Sequence, residues 1–421
     1  MKANESVKNY QSERRMYTNY TARAIKKVCK EIGPRFSGSE AEKKGIEFMA
    51  EELRTCSDDV KVDSFNVHPK AFYGWITISA VLVIISTALF FVGQHFDIPW
   101  LFYITAATGF IGLFLGITEF LLYKQVLDKF MPKATSYNTY GTRKPTGEVK
   151  RRIIFVGHAD SSPEWTYSHL GGPALLKTVL IGAILGLVYC FVISIIASVK
   201  SAIDPAFISS TAVDILSYIF LGLNIFFIPI IFMCNYKVIV EGANDDLSGC
   251  FLSIAVLKYL QDNGITFENT EVMALCSGSE ETGLRGSKDF CKVHGKELSD
   301  VETAVIAIDT VRDFDFMGVY NKDMSGLVKN DEQVSKLLKE GAKIAGYDLP
   351  YMTVSLGSTD AAAFSQANIK ATAFSAMDPA PARYYHTRLD THENIDMKTL
   401  EAGLDICLET LFLFDEKGLD V

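Results

Sequence analysis

The sequence predicts an α/β domain, a mostly parallel, mixed sheet flanked by helices, into which two transmembrane helical hairpins are inserted. Three observations predict it. Short apolar runs at 153–156, 272–275, 303–308 and 371–374 alternate with helical stretches at 248–259, 286–294 and 331–345, the pattern of βαβ units. Four long apolar runs, 73–92, 100–123, 179–199 and 215–233, each approach the ~20 residues a helix needs to cross a bilayer. Finally, the apolar strands finish in side chains competent to bind a metal, which is where open α/β sheets build their sites.

Taken in order, residues 17–54 read as two helices broken by 33–39. Ser39, with Glu40 and Glu42 in the first turn, reads as a capping box, and Ile46, Met49 and Leu53 share one face. Val60, Val62, Phe65 and Val67 alternate like a strand. The first two apolar runs are joined by the short link 93–99, the second two by 200–214, and Glu119 is the only acid inside a run. Gly112 with Gly116, and Gly182 with Gly186, permit close helix contact, within the four-helix set or across a homo-oligomer seam. Residues 393–416 close the chain as a helix. The resulting segmentation is 1–70, 124–177 and 235–421 for the α/β domain, with hairpins at 71–123 and 178–234.

Composition agrees. Only 22% of residues are charged and mean hydropathy is +0.16, which points to a membrane. A net charge of −9 argues against a nucleic-acid surface. Eight cysteines without paired spacing read as free thiols of a reducing compartment. The first 17 residues are polar, so no secretory signal is expected. Lys61, Lys70, Lys124, Lys129, Lys133, Lys177 and Lys237 flank the spans, whereas the hairpin tips carry only Lys200. By the positive-inside rule this is a multi-pass membrane protein with its α/β domain in the cytoplasm.

The chemistry centres on residues 276–286, CSGSEETGLRG. A carboxylate pair, Glu280 and Glu281, at the end of a core strand is costly to bury unless a cation or proton compensates it. Adjacent side chains diverge, so one can ligate a metal while the other serves a water, the division metal-assisted hydrolysis requires. The strand at 153–156 runs into His158 and Asp160, that at 303–308 into Asp309. Asp245 and Asp246 precede a helix, and His386 lies in Tyr-His-Thr-Arg-Leu-Asp-Thr. Singly, His158 fits a core histidine, Asp245 a helix cap and Asp309 a turn residue; together they form one site. Imidazole and carboxylate without thiolate suit zinc, or cobalt or manganese, in a two-metal hydrolytic centre. His68, His95, His169, His294 and His392 lack an ordered ligand context and stand outside it.

His-x-Asp, Gly-Ala-x-Asp-Asp-x-Ser-Gly, Ser-x-Glu-Glu-x-Gly-Leu-x-Gly-Ser, a strand-end Asp and Tyr-His-Thr-x-x-Asp-Thr follow in that order. This set, with residues 33–38 and 357–364, resembles the co-catalytic zinc aminopeptidases and glutamate carboxypeptidases, over nearly all of the chain outside the hairpins. The resemblance implies a zinc-exopeptidase fold and two divalent ions. Asp245 would bridge them, His158 and Asp309 would complete one, Glu281 and His386 the other. It implies Glu280 as the general base that deprotonates the attacking water. Asp160 would orient His158 and Asp390 would do the same for His386. Tyr385 matches the place where some relatives hold an oxyanion-stabilising phenol. A cyclase branch of the family keeps a single zinc, and the full ligand set here favours hydrolysis. The expected function is a membrane-embedded metallopeptidase, first an aminopeptidase acting on peptides; the alternatives are hydrolysis of a non-peptide amide such as an N-acyl amino acid, or an inactive membrane receptor. The hairpins depart from the soluble pattern, and the second one splits the ligand set between Asp160 and Asp245.

Overall fold

The computed structural model describes residues 2–421. They divide into two compact units. Among the described residues one comprises 2–69, 133–164 and 237–421, the other 70–132 and 165–236. The second unit is thus longer than the apolar runs alone, taking in residues 124–132 and 165–177.

The first unit opens with α1 (Tyr10–Glu31), α2 (Glu40–Arg54) and strand β1 (Asp59–Val67). It continues through β2 (Ala134–Arg143), β3 (Arg151–His158) and the short β4 (Pro163–Trp165), and after the second hairpin through β5 (Cys234–Ile239), α7 (Leu247–Asp262), β6 (Thr270–Ser277), α8 (Arg285–Leu298) and β7 (Glu302–Val311). Strands β8 (Met317–Asp323) and β9 (Val328–Lys329), helix α9 (Glu332–Ile344), β10 (Tyr351–Thr353), α10 (Asp360–Gln366), β11 (Ala371–Ala376) and α11 (Met397–Lys417) complete it. Among the described residues the main sheet runs β1-β2-β6-β3-β7-β11-β8-β10, with β9 paired to β8. Its centre, β6-β3-β7-β11, is parallel throughout; β1-β2-β6 on one side and β11-β8 on the other are antiparallel, and β10 adds parallel to β8.

Both faces of that centre are covered. Ile153, Phe155, Val272, Ala274 and Ile306 point into a core shared with α1, α2, α7, α9 and α11. Ile154, Val156, Met273, Leu275 and Val305 point into a second core against α8 and α10. Double burial explains why these strands read as continuous apolar runs. The flanking strands do not: β2, A-T-S-Y-N-T-Y-G-T-R, and β8 carry no such run and are not evident in the sequence. Helix starts follow side-chain caps. Ser39 Oγ accepts from Glu42 N at 3.1 Å, Asp331 Oδ1 from Val334 N at 3.0 Å and Asp396 Oδ1 from Thr399 N at 2.7 Å. The expected capping box at Ser39 is only half formed, because the Glu42 carboxylate accepts from Gly38 N at 2.7 Å and is otherwise engaged elsewhere.

The second unit holds α3 (Ala71–His95), α4 (Trp100–Leu115), which continues as a π-helical turn over Gly116–Leu121, α5 (Thr166–Ile203) and α6 (Thr211–Ile230). These four helices are long and apolar enough to cross a membrane. α5 starts well before the apolar run at 179. Its first turns are set off by Gly172 at φ 64°, ψ −162°, a conformation glycine tolerates, and Pro173 then opens the longer segment, where its missing N–H costs nothing. The small residues pack within the unit. A side chain at Gly112 would run into Leu187, one at Gly182 into Phe226 and one at Gly186 into Phe227. Polar groups find each other between helices: Ser86 and Thr108 hydroxyls lie 2.5 Å apart, and Asn224 donates to Thr87 Oγ1 at 3.0 Å. Outward-facing large apolar side chains are plentiful, with Phe110 57%, Ile184 54% and Ile225 70% exposed.

Candidate metal centre

The parallel strands bring their carboxyl ends to one edge. His158 ends β3 opposite Ser277 of β6, and Asp309 lies near the end of β7 beside Ser375 of β11. Glu280 and Glu281 follow β6, Asp245 precedes α7, and His386 follows β11. The segments thus converge, and their side chains meet. His158 Nε2 lies 3.1 Å from Asp245 Oδ1, and His386 Nε2 lies 3.1 Å from Asp245 Oδ2. His386 Nε2 is also 3.1 Å from Glu281 Oε2, and His158 Nε2 is 3.8 Å from Glu280 Oε2. The Asp245 carboxylate therefore stands between the two imidazoles, one oxygen to each.

Glu281 Oε1 is buried without a hydrogen-bond partner among the described residues. Burial raises Glu280 well above the ordinary carboxylate range, and neighbouring Asp360, Glu281 and Asp309 add to it against the opposing pull of His158. Burial and then Asp245 push Asp309 up to about 7. Burial would likewise raise Asp245, but hydrogen bonds to His158 and His386 hold it below its usual value. Burial opposes the charged form of His386, yet Glu281 and Asp245 bring it up to about 10. So many buried acids cannot ionise together without added positive charge. A donor set of two imidazole nitrogens and several carboxylate oxygens, one of them orphaned, fits divalent cations of the zinc class.

Asp160 is a hub. It lies 3.4 Å from His158 Nδ1, accepts from the backbone of Glu280 at 2.9 Å and Glu281 at 3.2 Å, and takes the Ser37 hydroxyl at 2.6 Å. One carboxylate thus positions both a candidate ligand and the glutamate pair. Asp390 departs from the sequence expectation. It accepts from Asn244 N at 2.8 Å and from Asp245 N at 3.1 Å, so it braces the turn carrying Asp245 instead of His386. Acceptor-only oxygens suit this turn because its amides point inward. Tyr385 stacks on His386, ring centroids 3.9 Å apart and 21° from parallel. Burial and then Asp245 raise its phenol well above the ordinary value, so it remains a donor.

Four further residues build the site in roles that escape the sequence reading. Asp246 Oδ2 accepts from His158 N at 3.1 Å, while Oδ1 accepts from Gly249 N at 2.9 Å and Thr310 N at 3.2 Å. It ties together the ends of β3 and β7 and the start of α7; the Asp-Asp doublet was its only signal. Glu42, fully buried on α2, accepts from Ser136 Oγ at 2.9 Å and from Ser279 N at 2.7 Å. That holds Ser279, itself at φ 53°, directly before the glutamate pair. Arg35, also fully buried, donates to Ala159 O at 2.7 Å, Glu241 O at 2.8 Å and Gly242 O at 3.2 Å. Asn138 of β2 accepts from Gly278 N at 3.0 Å and donates to Gly286 O at 3.0 Å, clamping the two ends of the glutamate loop. His386 and Thr310 adopt left-handed backbone, φ 52° each, so strain concentrates beside the candidate ligands.

Residues 229–411 match the model of peptidase family M28, a span that holds Asp245, Glu280, Glu281, Asp309, Tyr385, His386 and Asp390 and stops short of His158 and Asp160. No curated protein matches the chain. Among solved structures, it is similar to BSAP, a zinc aminopeptidase from Bacillus subtilis, at 15% identity and TM-score 0.55, covering 94% of each chain. It is also similar to an aminopeptidase from Aneurinibacillus sp. strain AM-1, at 14% identity and TM-score 0.55, covering 96% of this chain and 95% of the other. A glutaminyl cyclase from Fimbriiglobus ruber shares the architecture at 13% identity and TM-score 0.54, covering 94% and 95%. Identities this low speak for the fold alone, and the fold they speak for is the zinc-exopeptidase one. Residues 229–411 are thus similar to peptidase family M28, and the chain as a whole has the fold of the zinc exopeptidases.

Proposed function

We propose that this protein is a membrane-embedded, metal-dependent exopeptidase with an aminopeptidase-like reaction. The observation that carries it is the Asp245 carboxylate, set 3.1 Å from an imidazole nitrogen on each side, with Glu281 completing one side and Glu280 beside the other. His158, Asp245, Asp309, Glu281 and His386 would hold two divalent ions. Bound there, such ions supply Lewis-acid polarisation of the scissile carbonyl and lower the pKa of water to near neutrality.

The chain's own groups account for the rest. Asp160, 3.4 Å from His158 Nδ1, would close on that nitrogen and leave Nε2 with a lone pair toward the centre. Glu280, pointing into the same space without a role in bracing the fold, takes the proton of the attacking water and returns it to the departing amine. Tyr385, protonated and adjacent to His386, donates to the oxygen that becomes negative. Four helices long and apolar enough to cross a bilayer support a membrane-embedded enzyme, and the lysines flanking them support a catalytic domain on the cytoplasmic side.

The test is a turnover screen on purified, metal-loaded protein in nanodiscs. Free-amine dipeptides, N-acylated amino acids and peptides with N-terminal glutamine compete as substrates. Metal-dependent release of the N-terminal residue from free-amine peptides is expected. Preference for N-acylated substrates would replace the aminopeptidase assignment with amide hydrolysis, and ring closure without cleavage would replace it with cyclase chemistry. For orientation, a cysteine at the exposed Ala202 should react with an impermeant reagent from the outside; labelling only after permeabilisation would overturn the cytoplasmic placement.

A further inference from the structure

Away from the centre just described, the fold assembles a second group of metal-competent side chains from three distant parts of the chain. Cys29 sits in the last turn of α1 and is buried. Glu241 leads into the turn that carries Asp245, and His392 follows Asp390. Their ligand atoms, one from each residue, all lie within 4.8 Å of one another. The tightest pair is Glu241 Oε2 and His392 Nδ1 at 3.2 Å, and the same oxygen accepts from His392 N at 3.3 Å. The geometry points to a further metal site here, a thiolate–imidazole–carboxylate site for a zinc-class divalent cation.

The chemistry of the three groups selects the ion. Thiolate with imidazole and carboxylate is the donor mixture of zinc, at about 2.3 Å for sulfur and 2.0–2.2 Å for nitrogen and oxygen. Ligand atoms in such a tetrahedron stand a little over 3 Å apart, so the Glu241–His392 pair already has the separation and Cys29 needs only a small approach. Hard cations such as calcium or magnesium would refuse the sulfur. The catalytic candidates, by contrast, include no thiolate.

The surroundings hold the three residues ready. Arg35 donates to the backbone carbonyls of Gly33 at 3.0 Å, Glu241 at 2.8 Å and Gly242 at 3.2 Å. It thereby fixes the segment after α1 against the turn bearing Glu241. The side chains of Glu241 and His392 are 31% and 12% exposed, which leaves water access for a fourth ligand. Binding exchanges the Cys29 thiol proton and the proton shared by His392 and Glu241 for one cation, with no oxidation. The consequence is mechanical. Glu241 lies just before Asp245 in sequence, and His392 just after Asp390, whose carboxylate grips the Asn244 and Asp245 amides. An ion here would pin both loops to α1, steadying Asp245 from behind without touching substrate.

Cobalt reports on it directly, because a sulfur–cobalt bond gives a near-ultraviolet charge-transfer band that an imidazole–carboxylate site cannot give. The full-length protein is stripped with chelator and reloaded with cobalt. The band is expected in the wild type and in Asp245→Asn, where the catalytic candidates are disabled. It should vanish in Cys29→Ser and His392→Ala, each with one fewer ion per chain. Absence of the band in the wild type, or its survival in Cys29→Ser, would overturn the site. If Cys29→Ser fails to fold, the wild-type spectrum and the partly exposed His392→Ala still decide. Because Asp245→Asn is read separately, failure of the exopeptidase assignment leaves this result standing, and the reverse also holds.

Discussion

The two compact units solve one problem, a polar group shut away from water, in opposite ways. In the α/β unit, acids crowd together at depth. Asp160, Asp246, Glu42 and Asp390 are all fully buried, and each accepts several hydrogen bonds from backbone or hydroxyl donors. In the hairpin unit, ionisable groups are nearly excluded. Glu119 is the buried acid there, and it accepts from Leu127 N at 2.6 Å where the chain leaves α4. The outward faces are apolar instead. The difference teaches where the free energy of each unit resides: in the first, in networks that trap charge for chemistry; in the second, in apolar surface that is stable only if something other than water covers it.

The comparison can be broken most decisively at Asp245. Asp245→Asn removes the oxygen charge facing both imidazoles, and we expect loss of the two ions at that centre with turnover at background. Elemental analysis finding both ions retained would refute the shared-ligand role. Next is Glu280→Gln, which should keep the metals and lower kcat by about 10²–10⁴-fold, the usual contribution of a general base. Near-normal turnover of a metal-replete preparation would remove Glu280 from that role.

A pair of arginines contrasts the units themselves. Ile184→Arg, on the outer face of α5, should cost about 2.5–3.5 kcal/mol in bilayer insertion. Val293→Arg, 61% exposed on α8, should stay within about 0.5 kcal/mol on unfolding. Equal, small costs at both would mean that lipid does not cover α5. At the metal centre the smallest effect is expected at Asp160→Asn, which keeps shape but weakens the grip on the glutamate amides beside His158. Metal affinity should fall about 10–100-fold, read by chelator competition. Unchanged affinity would reduce Asp160 to a bystander.

Legibility in the sequence followed burial. Strands covered on both faces, β3, β6, β7 and β11, carry apolar runs through their middles, so they stand out without any alternation. The hairpins stand out for a similar reason, since long stretches of their helices are apolar, with only scattered hydroxyl and amide side chains paired between them. Strand β2 does not, because Ser136, Asn138 and Thr139 are buried for the sake of their hydrogen bonds. Glu42 reads as an ordinary first-turn acid of α2, yet its carboxylate belongs to Ser279, far along the chain. Helix α5 reaches further back than the apolar run at 179, because hydropathy marks only the apolar stretch, whereas Gly172 and Pro173 mark where the backbone bends.

By itself, the sequence determined the fold class, the four apolar spans and the set of candidate ligands. Those depend on local composition and on short motifs whose residue types are dictated by metal chemistry. The tertiary structure alone decided which partners those residues take. It set Asp390 against the Asp245 turn, made Asp160 the common brace of His158 and the glutamate pair, and gathered Cys29, Glu241 and His392 within reach of one another. Such pairings join residues far apart in the chain, and they are fixed by sheet order and loop closure. A carboxylate on its own carries no mark of which amide or cation will compensate it; the packed fold supplies that partner.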